Sequence, residues 1–262
     1  LRNAAGTLGG ARPKVNAIDG DGSLWIVKLP KQTDDYSVER VEVMTLRLAK
    51  EVGIQAAHAR ILNTDTNRPV SIIRRFDRMK KGAARIPFIS AQTFLGKAGT
   101  DPGTYEEIAM QLRTYGHNPA QDILELFRRL MFTVLIRNTD DHLRNHGMLR
   151  GANGWLLSPA YDVNPETKDA HLKTGISEIH GYETSLESVL DASEFFDINR
   201  DEAEKMAGEM GAKIKERWRL IGHEVGMTAR DFSAISEAIE NEDLGLACSL
   251  HQRESVSGPG HS

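Results

Sequence analysis

The feature that most constrains this chain is an apolar helical pattern that ends directly in a dense polar segment. Apolar residues recur at i, i+3 and i+4 through DILELFRRLMFTVLIRN: Ile123, Phe127, Leu130, Met131, Val134 and Leu135. This spacing predicts a helix with one buried face. The next residues, TDDHLRNHGML, place charged and amide side chains between that helix and a short strand pattern. Whether this loop has a function depends on the spacing of its side chains and on partners elsewhere in the chain.

The rest of the chain divides into a β-rich part and a helical part. Before residue 80 the sequence predicts hairpins over 14–29 and 58–76, and a helix over 37–52 that begins after Ser37. After Tyr105 helical patterns dominate, interrupted by one short hairpin, and they recur over residues 183–196, 200–222 and 228–240. We therefore predict an α+β fold with two lobes. Its parts are a β-rich lobe with one helix (1–80), an α-helical lobe (81–250) and a disordered tail (251–262).

Composition sets limits on function. The 262 residues carry a formal net charge of −4, which lacks the basic signature of a duplex-binding protein. No segment approaches the roughly 18 consecutive apolar residues that a membrane span requires. The single cysteine, Cys248, excludes an internal disulfide and is typical of a reducing compartment. We therefore expect a cytoplasmic protein that does not enter a membrane and has no direct nucleic-acid signature.

Three polar residues have a spacing that phosphoryl transfer uses. Asp140 and Asn145 reproduce the D-x-x-x-x-N spacing of a kinase catalytic loop, where the aspartate accepts a hydroxyl proton and the asparagine holds magnesium. Asp162 follows a short hairpin, where a kinase places its second metal-binding carboxylate. Oxygen ligands of this kind suit Mg²⁺. The alternative is that all three are turn or helix-cap residues, since Asp and Asn favour such positions.

A charged residue lies on the apolar face of the strand pattern LWIVK. Lys28 alternates with Leu24 and Ile26 and so shares their face, where an unpaired charge would be costly. Glu42, on the apolar face of the following helix, is a candidate partner. In kinases a strand lysine and a helix glutamate hold the nucleotide phosphates. The alternative is that Lys28 extends to solvent at a strand edge and Glu42 forms a surface pair.

A glycine-rich stretch, GTLGGARPK at residues 6–14, precedes the first hairpin. Glycine permits close approach of the backbone to phosphate, and Arg12 and Lys14 add positive charge. The stretch matches neither the G-x-G-x-x-G nor the Walker sequence, so by itself it also fits a flexible terminal loop. Its position just before the hairpin that carries Lys28 favours a phosphate-binding loop.

Six motifs, in order, resemble those of HipA-like serine/threonine protein kinases, the toxins of bacterial toxin–antitoxin pairs. They are GGARPK, VKLP, ERVEVMTLRLAKEVGI, RRFDR, NTDDHLRN and LSPAYDV. The resemblance extends from about residue 6 to residue 165 and is specific, because the motifs keep their order at compatible spacing. It implies the two-lobed protein-kinase-like fold of the HipA type. The family's additional N-terminal subdomain is not part of this sequence, which starts at Leu1; we expect it either to belong to a longer form of this protein or to lie in a separate polypeptide.

The resemblance also implies roles for individual residues. Asp140 resembles the catalytic base of the family, and Asn145 and Asp162 resemble its magnesium ligands. Lys28 resembles the phosphate-binding lysine, and Glu42 is similar in position to the helix glutamate that pairs with it.

The resemblance further implies an ATP site and a site of self-modification. The residues expected to contact ATP are Gly9, Gly10, Ala11, Arg12, Pro13, Lys14, Lys28, Phe76, His142, Leu143, Arg144, Asn145, Tyr161 and Asp162. Family members usually have a glutamate two residues before the aromatic hinge position of Phe76, whereas this chain has Arg74. Thr7 stands where HipA proteins carry an autophosphorylated serine, which makes it the candidate autophosphorylation site.

The implied activity is that of an ATP- and Mg²⁺-dependent Ser/Thr protein kinase. The family's best-known protein substrate is glutamyl-tRNA synthetase, an aminoacyl-tRNA synthetase, and its partner is a HipB-like DNA-binding antitoxin. Two alternatives remain: an inactive kinase-like module that docks an antitoxin repressor on DNA, and a kinase whose acceptor is a small molecule or lipid. The joint presence of the lysine, the two aspartates and the asparagine favours an active kinase, because a docking module would not need them.

Overall fold

The structure, a computed structural model, describes residues 2–7, 12–63, 68–79, 84–169 and 171–257, with the backbone alone for 2–7 and 254–257. Its strands are β1 (Arg2–Thr7), β2 (Lys14–Ile18), β3 (Leu24–Lys28), β4 (Ala59–Leu62), β5 (Val70–Arg74), β6 (Phe88–Ser90), β7 (Gly147–Arg150) and β8 (Trp155–Leu157). Its helices are α1 (Val38–Glu51), α2 (Ala91–Phe94), α3 (Tyr105–Tyr115), α4 (Pro119–Leu135), α5 (Leu186–Asp191), α6 (Arg200–Glu224), α7 (Ala229–Ile239) and α8 (Glu242–Ser257).

The first five strands form one antiparallel sheet in the order β1-β2-β3-β5-β4. The two predicted hairpins, β2–β3 and β4–β5, are confirmed. Their register places Lys28 of β3 between Lys14 of β2 and Ser71 of β5. Strand β1, which sets the backbone of Thr7 opposite Val15, is missing from the sequence prediction. Its sequence, RNAAGT, has few of the β-branched and aromatic residues that favour strands, so pairing with β2 defines it.

Helix α1 follows the β2–β3 hairpin and packs against β4 and β5. The hydroxyl of Ser37 accepts a hydrogen bond from the backbone N–H of Arg40 at 3.3 Å, so the predicted N-cap is confirmed. Glu42 lies on the buried side of the helix and is only 2% exposed. A carboxylate at that depth requires a partner, and α1 directs it towards β3.

Helix α4 lies at the centre of the helical part, and its side chains from Leu126 to Leu135 are almost all buried. The predicted helix is confirmed, with Pro119 in the first turn, where the missing N–H of proline breaks no hydrogen bond. The predicted hairpin β7–β8 follows the polar loop and is joined by β6 in a three-stranded antiparallel sheet. This sheet and α3 together frame the polar loop.

Helices also cover the three later segments that were predicted to be helical. The tail was predicted to be disordered from residue 251, but residues 251–257 belong to helix α8, which packs along α6. The two helices approach so closely that a Cβ built on Gly211 would lie 2.6 Å from the Cβ of Ala247.

Residues 258–262, and the predicted lobe boundary after residue 80, lie outside the described residues. None of the described helices is long and apolar enough to span a bilayer.

Candidate active site

Three charged side chains from distant segments meet beside the five-stranded sheet. The Nζ of Lys28 donates hydrogen bonds to Oε1 of Glu42 and, at 2.9 Å, to Oδ1 of Asp162. Lys28 is only 8% exposed. Burial alone would lower the pKa of this lysine, but the two carboxylates outweigh burial and raise the pKa above its ordinary value. The ammonium is therefore held charged between two anions, one from each part of the fold.

Asp162 has a left-handed backbone, with φ at 59°. Residues other than glycine rarely adopt this conformation, although Asp and Asn do so several times more often than the rest. Burial would raise the pKa of its carboxyl group, but the ammonium of Lys28 holds that pKa below its ordinary value. Asp162 is therefore ionised at neutral pH, with one oxygen on Lys28 and the backbone turned to aim the side chain at the sheet.

The polar loop after α4 folds around the backbone carbonyl of Asp140. That oxygen accepts hydrogen bonds from the backbone N–H of His142 at 3.0 Å and from Nδ2 of Asn145 at 3.3 Å. A 3₁₀ turn, Leu143–Asn145, completes the loop. The carboxylate of Asp140 is exposed and contacts the ammonium of Lys173. The structure thus brings the predicted D-x-x-x-x-N pair together and adds a lysine that the sequence analysis did not identify.

A buried hydrogen-bond network supports this loop. Asp141, 4% exposed, accepts on Oδ2 from the hydroxyl of Tyr105 in α3 and lies 2.9 Å from Nε2 of His146. Burial raises the pKa of Tyr105 well above its ordinary value, so its hydroxyl remains a donor. Asp141 directly follows Asp140 in the sequence, and His146 directly follows Asn145. The network therefore fixes the loop at two points.

Tyr105→Phe should lower the free energy of unfolding by about 1–3 kcal/mol, because the buried Asp141 carboxylate loses a hydrogen-bond donor that water cannot replace. Urea unfolding followed by circular dichroism measures this loss. The matched control is Tyr115→Phe, which removes the same hydroxyl from an exposed position of α3. Equal unfolding midpoints for the two variants would show that the network does not stabilise the loop.

A cavity of about 340 Å³ opens between the five-stranded sheet and the segment around Asp162. Its lining residues are Lys14, Ile26, Lys28, Ile73, Arg74, Arg75, Phe76, Asp77, Phe88, Arg144, Tyr161 and Asp162. Three aromatic rings form one wall: the ring centroid of Phe76 is 5.6 Å from that of Tyr161 and 6.1 Å from that of Phe88. The hydroxyl of Tyr161 donates to the carbonyl of Arg144 at 2.7 Å, which fixes the ring against the polar loop. The cavity therefore combines an apolar, aromatic end with a cationic end.

Two arginines before Phe76 are held in different ways. Arg74 donates from Nη2 to the hydroxyl of Ser23 at 2.9 Å. Arg75 makes a bidentate pair with Asp77, at 2.8 and 2.7 Å, and its third donor reaches Oδ1 of Asn16 at 3.0 Å. The arginine found in place of the family's usual glutamate is thus bound to the sheet, and the Arg75–Asp77 pair forms the rim of the cavity.

The described end of the glycine-rich stretch is tied to the region of α1. Arg12 donates to Asp34 and to Glu39, both at 2.7 Å, and Glu39 is only 2% exposed. Pro13 accepts on its carbonyl from the backbone N–H of Leu29 at 2.9 Å. Gly9, Gly10 and Ala11 lie outside the described residues, and for Thr7 the backbone alone is described.

The structure separates the predicted ATP contacts into two groups. Those that line the cavity are Lys14, Lys28, Phe76, Arg144, Tyr161 and Asp162. Those described elsewhere are Arg12, Pro13, His142, Leu143 and Asn145. The side chain of Leu143 is packed in the main hydrophobic core at 5% exposure. The structure adds Ile26, Ile73 and Phe88 to the apolar end, where the sequence analysis gave only Phe76 and Tyr161.

Two solved structures share this architecture. A chain of the Shewanella oneidensis MR-1 toxin–antitoxin complex of HipA, HipB and operator DNA superposes with a TM-score of 0.75 at 15% identity, covering 99% of this chain and 68% of that one. The Helicobacter pylori proinflammatory kinase CtkA superposes with a TM-score of 0.65 at 13% identity, covering 98% and 97%. The fold is therefore the two-lobed, kinase-like α+β fold, as predicted from the sequence.

Sequence comparison gives the family. The model of the HipA-like C-terminal domain matches residues 6–218, and the chain belongs to that family. Two curated relatives come from Sinorhizobium fredii. "Putative kinase Y4dM" is 29% identical and covers 88% of this chain, and "Putative kinase Y4mE" is 23% identical and covers 96%. The matches span 56% and 62% of the relatives' own lengths, so this chain corresponds to little more than half of each.

Proposed function

We propose that this protein is a Ser/Thr protein kinase that uses ATP and Mg²⁺. The observation that carries the proposal is the contact of Lys28 with both Glu42 and Asp162 at the cationic end of the cavity. A lysine between a helix glutamate and a metal-binding aspartate is the arrangement that protein kinases use for phosphoryl transfer. We assign residues 1–80 to the nucleotide-covering lobe and residues 81–250 to the catalytic lobe.

The cavity suits ATP at both ends. Ile26, Ile73 and the aromatic wall offer the apolar surfaces on which a purine packs. At the other end the ammonium groups of Lys28 and Lys14, paired across β2 and β3, provide positive charge for phosphate oxygens. Since Lys28 is already held by two carboxylates, its position is set before nucleotide arrives, which reduces the ordering cost of binding.

The polar residues beside the cavity fit a magnesium ion. Asn145 uses Nδ2 in its hydrogen bond to the loop, which leaves the amide oxygen available, and Asp162 has one oxygen not committed to Lys28. The described residues contain no group of three or more His, Cys, Asp or Glu that could hold a metal alone. Two oxygen ligands completed by phosphate oxygens are typical of Mg²⁺. Bound there, Mg²⁺ would neutralise the charge of the phosphates.

Asp140 is the proposed general base. Its exposed carboxylate accepts the proton of an incoming serine or threonine hydroxyl as the hydroxyl oxygen bonds to the γ-phosphorus of ATP. The bond from that phosphorus to the bridging oxygen breaks, and ADP leaves. The buried Asp141 network holds the loop so that the carboxylate does not have to be reoriented for each turnover.

Asp162→Asn should abolish most of the stabilisation that ATP and Mg²⁺ confer. Asparagine is chosen because it tolerates the left-handed backbone at this position better than alanine does. With ATP at 100 times its dissociation constant the wild type should gain about 2.7 kcal/mol. The variant should gain little, because it loses the charge that pairs with the metal. Thermal unfolding with ATP–Mg²⁺ and with ATP–EDTA measures the stabilisation of the wild type and of the variant.

The control for this experiment is Asp169→Asn, an exposed aspartate of the same segment. It should respond to ATP–Mg²⁺ as the wild type does. A full response in Asp162→Asn would contradict the metal role. A wild type that neither responds to ATP nor adds phosphate to any protein would favour the docking-module alternative.

We further propose three finer features of this activity. They are a protein substrate of the aminoacyl-tRNA synthetase class, autophosphorylation at Thr7, and a HipB-like DNA-binding partner in the cytoplasm. Membership of the HipA-like family supports them, and the Shewanella relative was solved with HipB and operator DNA. Incubation with ATP–Mg²⁺ and purified glutamyl-tRNA synthetase, followed by phosphopeptide mass spectrometry, tests the substrate and Thr7 together. Absence of label on both would contradict these two features.

A further inference from the structure

One charged residue at the candidate active site, Lys173, has no role in the proposed mechanism. The ammonium of Lys173 contacts Oδ1 of Asp140 across 33 residues of sequence. Both side chains are about half exposed or more, at 50% and 61%. An ion pair this exposed adds little to stability. The position of Lys173 therefore calls for an explanation other than stability.

The backbone around Lys173 is firmly held. Its N–H donates to the carbonyl of Thr139 at 3.2 Å, which ties the segment to the residue just before Asp140. On either side, Leu172 and Thr174 are buried at 3% and 0% exposure. Between these two buried neighbours, the Lys173 side chain extends into solvent beside the carboxylate of Asp140.

The two other lysines of the site, Lys28 and Lys14, face each other across β3 and β2, on the sheet side of the cavity. Lys28 is committed to Glu42 and Asp162, on the sheet side of the cavity. A phosphoryl group in transit between ATP and an acceptor bound at Asp140 carries negative charge on three oxygens. Those oxygens lie next to Asp140, and Lys173 is the ammonium that the described residues place there.

We propose that Lys173 is a further catalytic residue of the phosphoryl transfer, an inference that rests on the proposed function. In the reacting complex its ammonium donates one N–H to Asp140 and another to an oxygen of the γ-phosphoryl group. The acceptor hydroxyl gives its proton to Asp140 as its oxygen bonds to phosphorus, the bond to the ADP oxygen breaks, and Lys173 remains protonated throughout. Lys173 thereby orients the Asp140 carboxylate and stabilises the negative charge that develops on the γ-phosphoryl oxygens.

Lys173→Met should lower kcat by about 10²–10³, the range found when one donor to a developing charge is removed. The KM for ATP should stay within about threefold, because Lys28 and the aromatic wall still bind the nucleotide. Lys173→Arg, which keeps the charge, should recover part of kcat. The control is Lys168→Met, which removes an exposed lysine of the same segment and should match the wild type.

The outcomes separate this inference from the proposed function. A normal kcat in Lys173→Met, with active wild type, would overturn the role of Lys173 and leave the kinase proposal intact. A raised kcat would also overturn it, since the pair would then hold Asp140 inactive. An equal loss in Lys168→Met would mean that general charge, not position, is responsible. No transfer by the wild type to itself or to protein acceptors would overturn both proposals.

Discussion

Asp140→Asn is expected to slow phosphoryl transfer by about two to four orders of magnitude while ATP binding stays close to that of the wild type. The amide has no basic oxygen that can take the hydroxyl proton. The fold should be retained, because Asp140 is exposed and holds the loop through its backbone carbonyl, which the substitution keeps. Intact-mass analysis of the chain and of added acceptors after incubation with ATP–Mg²⁺ gives the rate, and thermal shift gives ATP binding.

Asp35→Asn is a matched control for this variant. Asp35 is likewise exposed and likewise paired, with Arg230 at 3.3 Å, so the substitution removes the same charge and the same kind of ion pair away from the site. Its transfer rate should equal that of the wild type. A rate in Asp140→Asn within tenfold of the wild type would rule out Asp140 as the general base.

The second large effect is expected from Lys28→Met, which should lower the free energy of unfolding by about 3–5 kcal/mol and abolish ATP binding. The methionine leaves Glu42 as an uncompensated carboxylate at 2% exposure. Lys28→Met with Glu42→Leu should regain most of the stability, because an apolar pair can replace a buried ion pair. It should not regain ATP binding. Urea unfolding and thermal shift with ATP–Mg²⁺ measure the two properties separately.

The pH dependence identifies the cause of that loss. Burial raises the pKa of Glu42 even with Lys28 in place, and removal of the lysine should raise it further. When the pKa of a group is higher in the folded than in the unfolded state, the free energy of unfolding of the protein falls as pH rises from the unfolded-state pKa to the folded-state pKa. The deficit of Lys28→Met should therefore be larger at pH 8 than at pH 5. Lys14→Met, at the neighbouring position of β2, serves as the stability control. A deficit independent of pH would indicate lost packing instead.

Much of this fold could be predicted because local patterns and tertiary contacts agree. The alternation in β2 and β3, the Ser37 cap and the apolar face of α4 each specify an element without help from elsewhere. The prediction fails for elements that depend on contacts with another element. Strand β1 is defined by pairing with β2, and α8 by close packing against the glycines of α6, neither of which has a strong signal of its own.

The candidate site likewise contains residues that the local sequence specifies and residues that only tertiary contacts bring in. The inward position of Lys28 and the spacing of Asp140 and Asn145 are properties of short segments, and their contacts could be anticipated. Lys173 could not, since it reaches Asp140 only through the path of a 33-residue connection. The buried network is intermediate: Asp141 and His146 are visible as neighbours of the loop residues, but nothing local indicates that a tyrosine of α3 completes the network.

The left-handed backbone at Asp162 also limits how this position could change over evolutionary time. Most side chains would be strained there by about 1–2 kcal/mol, whereas asparagine and glycine would not. Chemistry and backbone thus select the same residue for independent reasons. A descendant that no longer needed the carboxylate would still be restricted by the chain path, and we expect such a sequence to carry asparagine or glycine here more often than alanine.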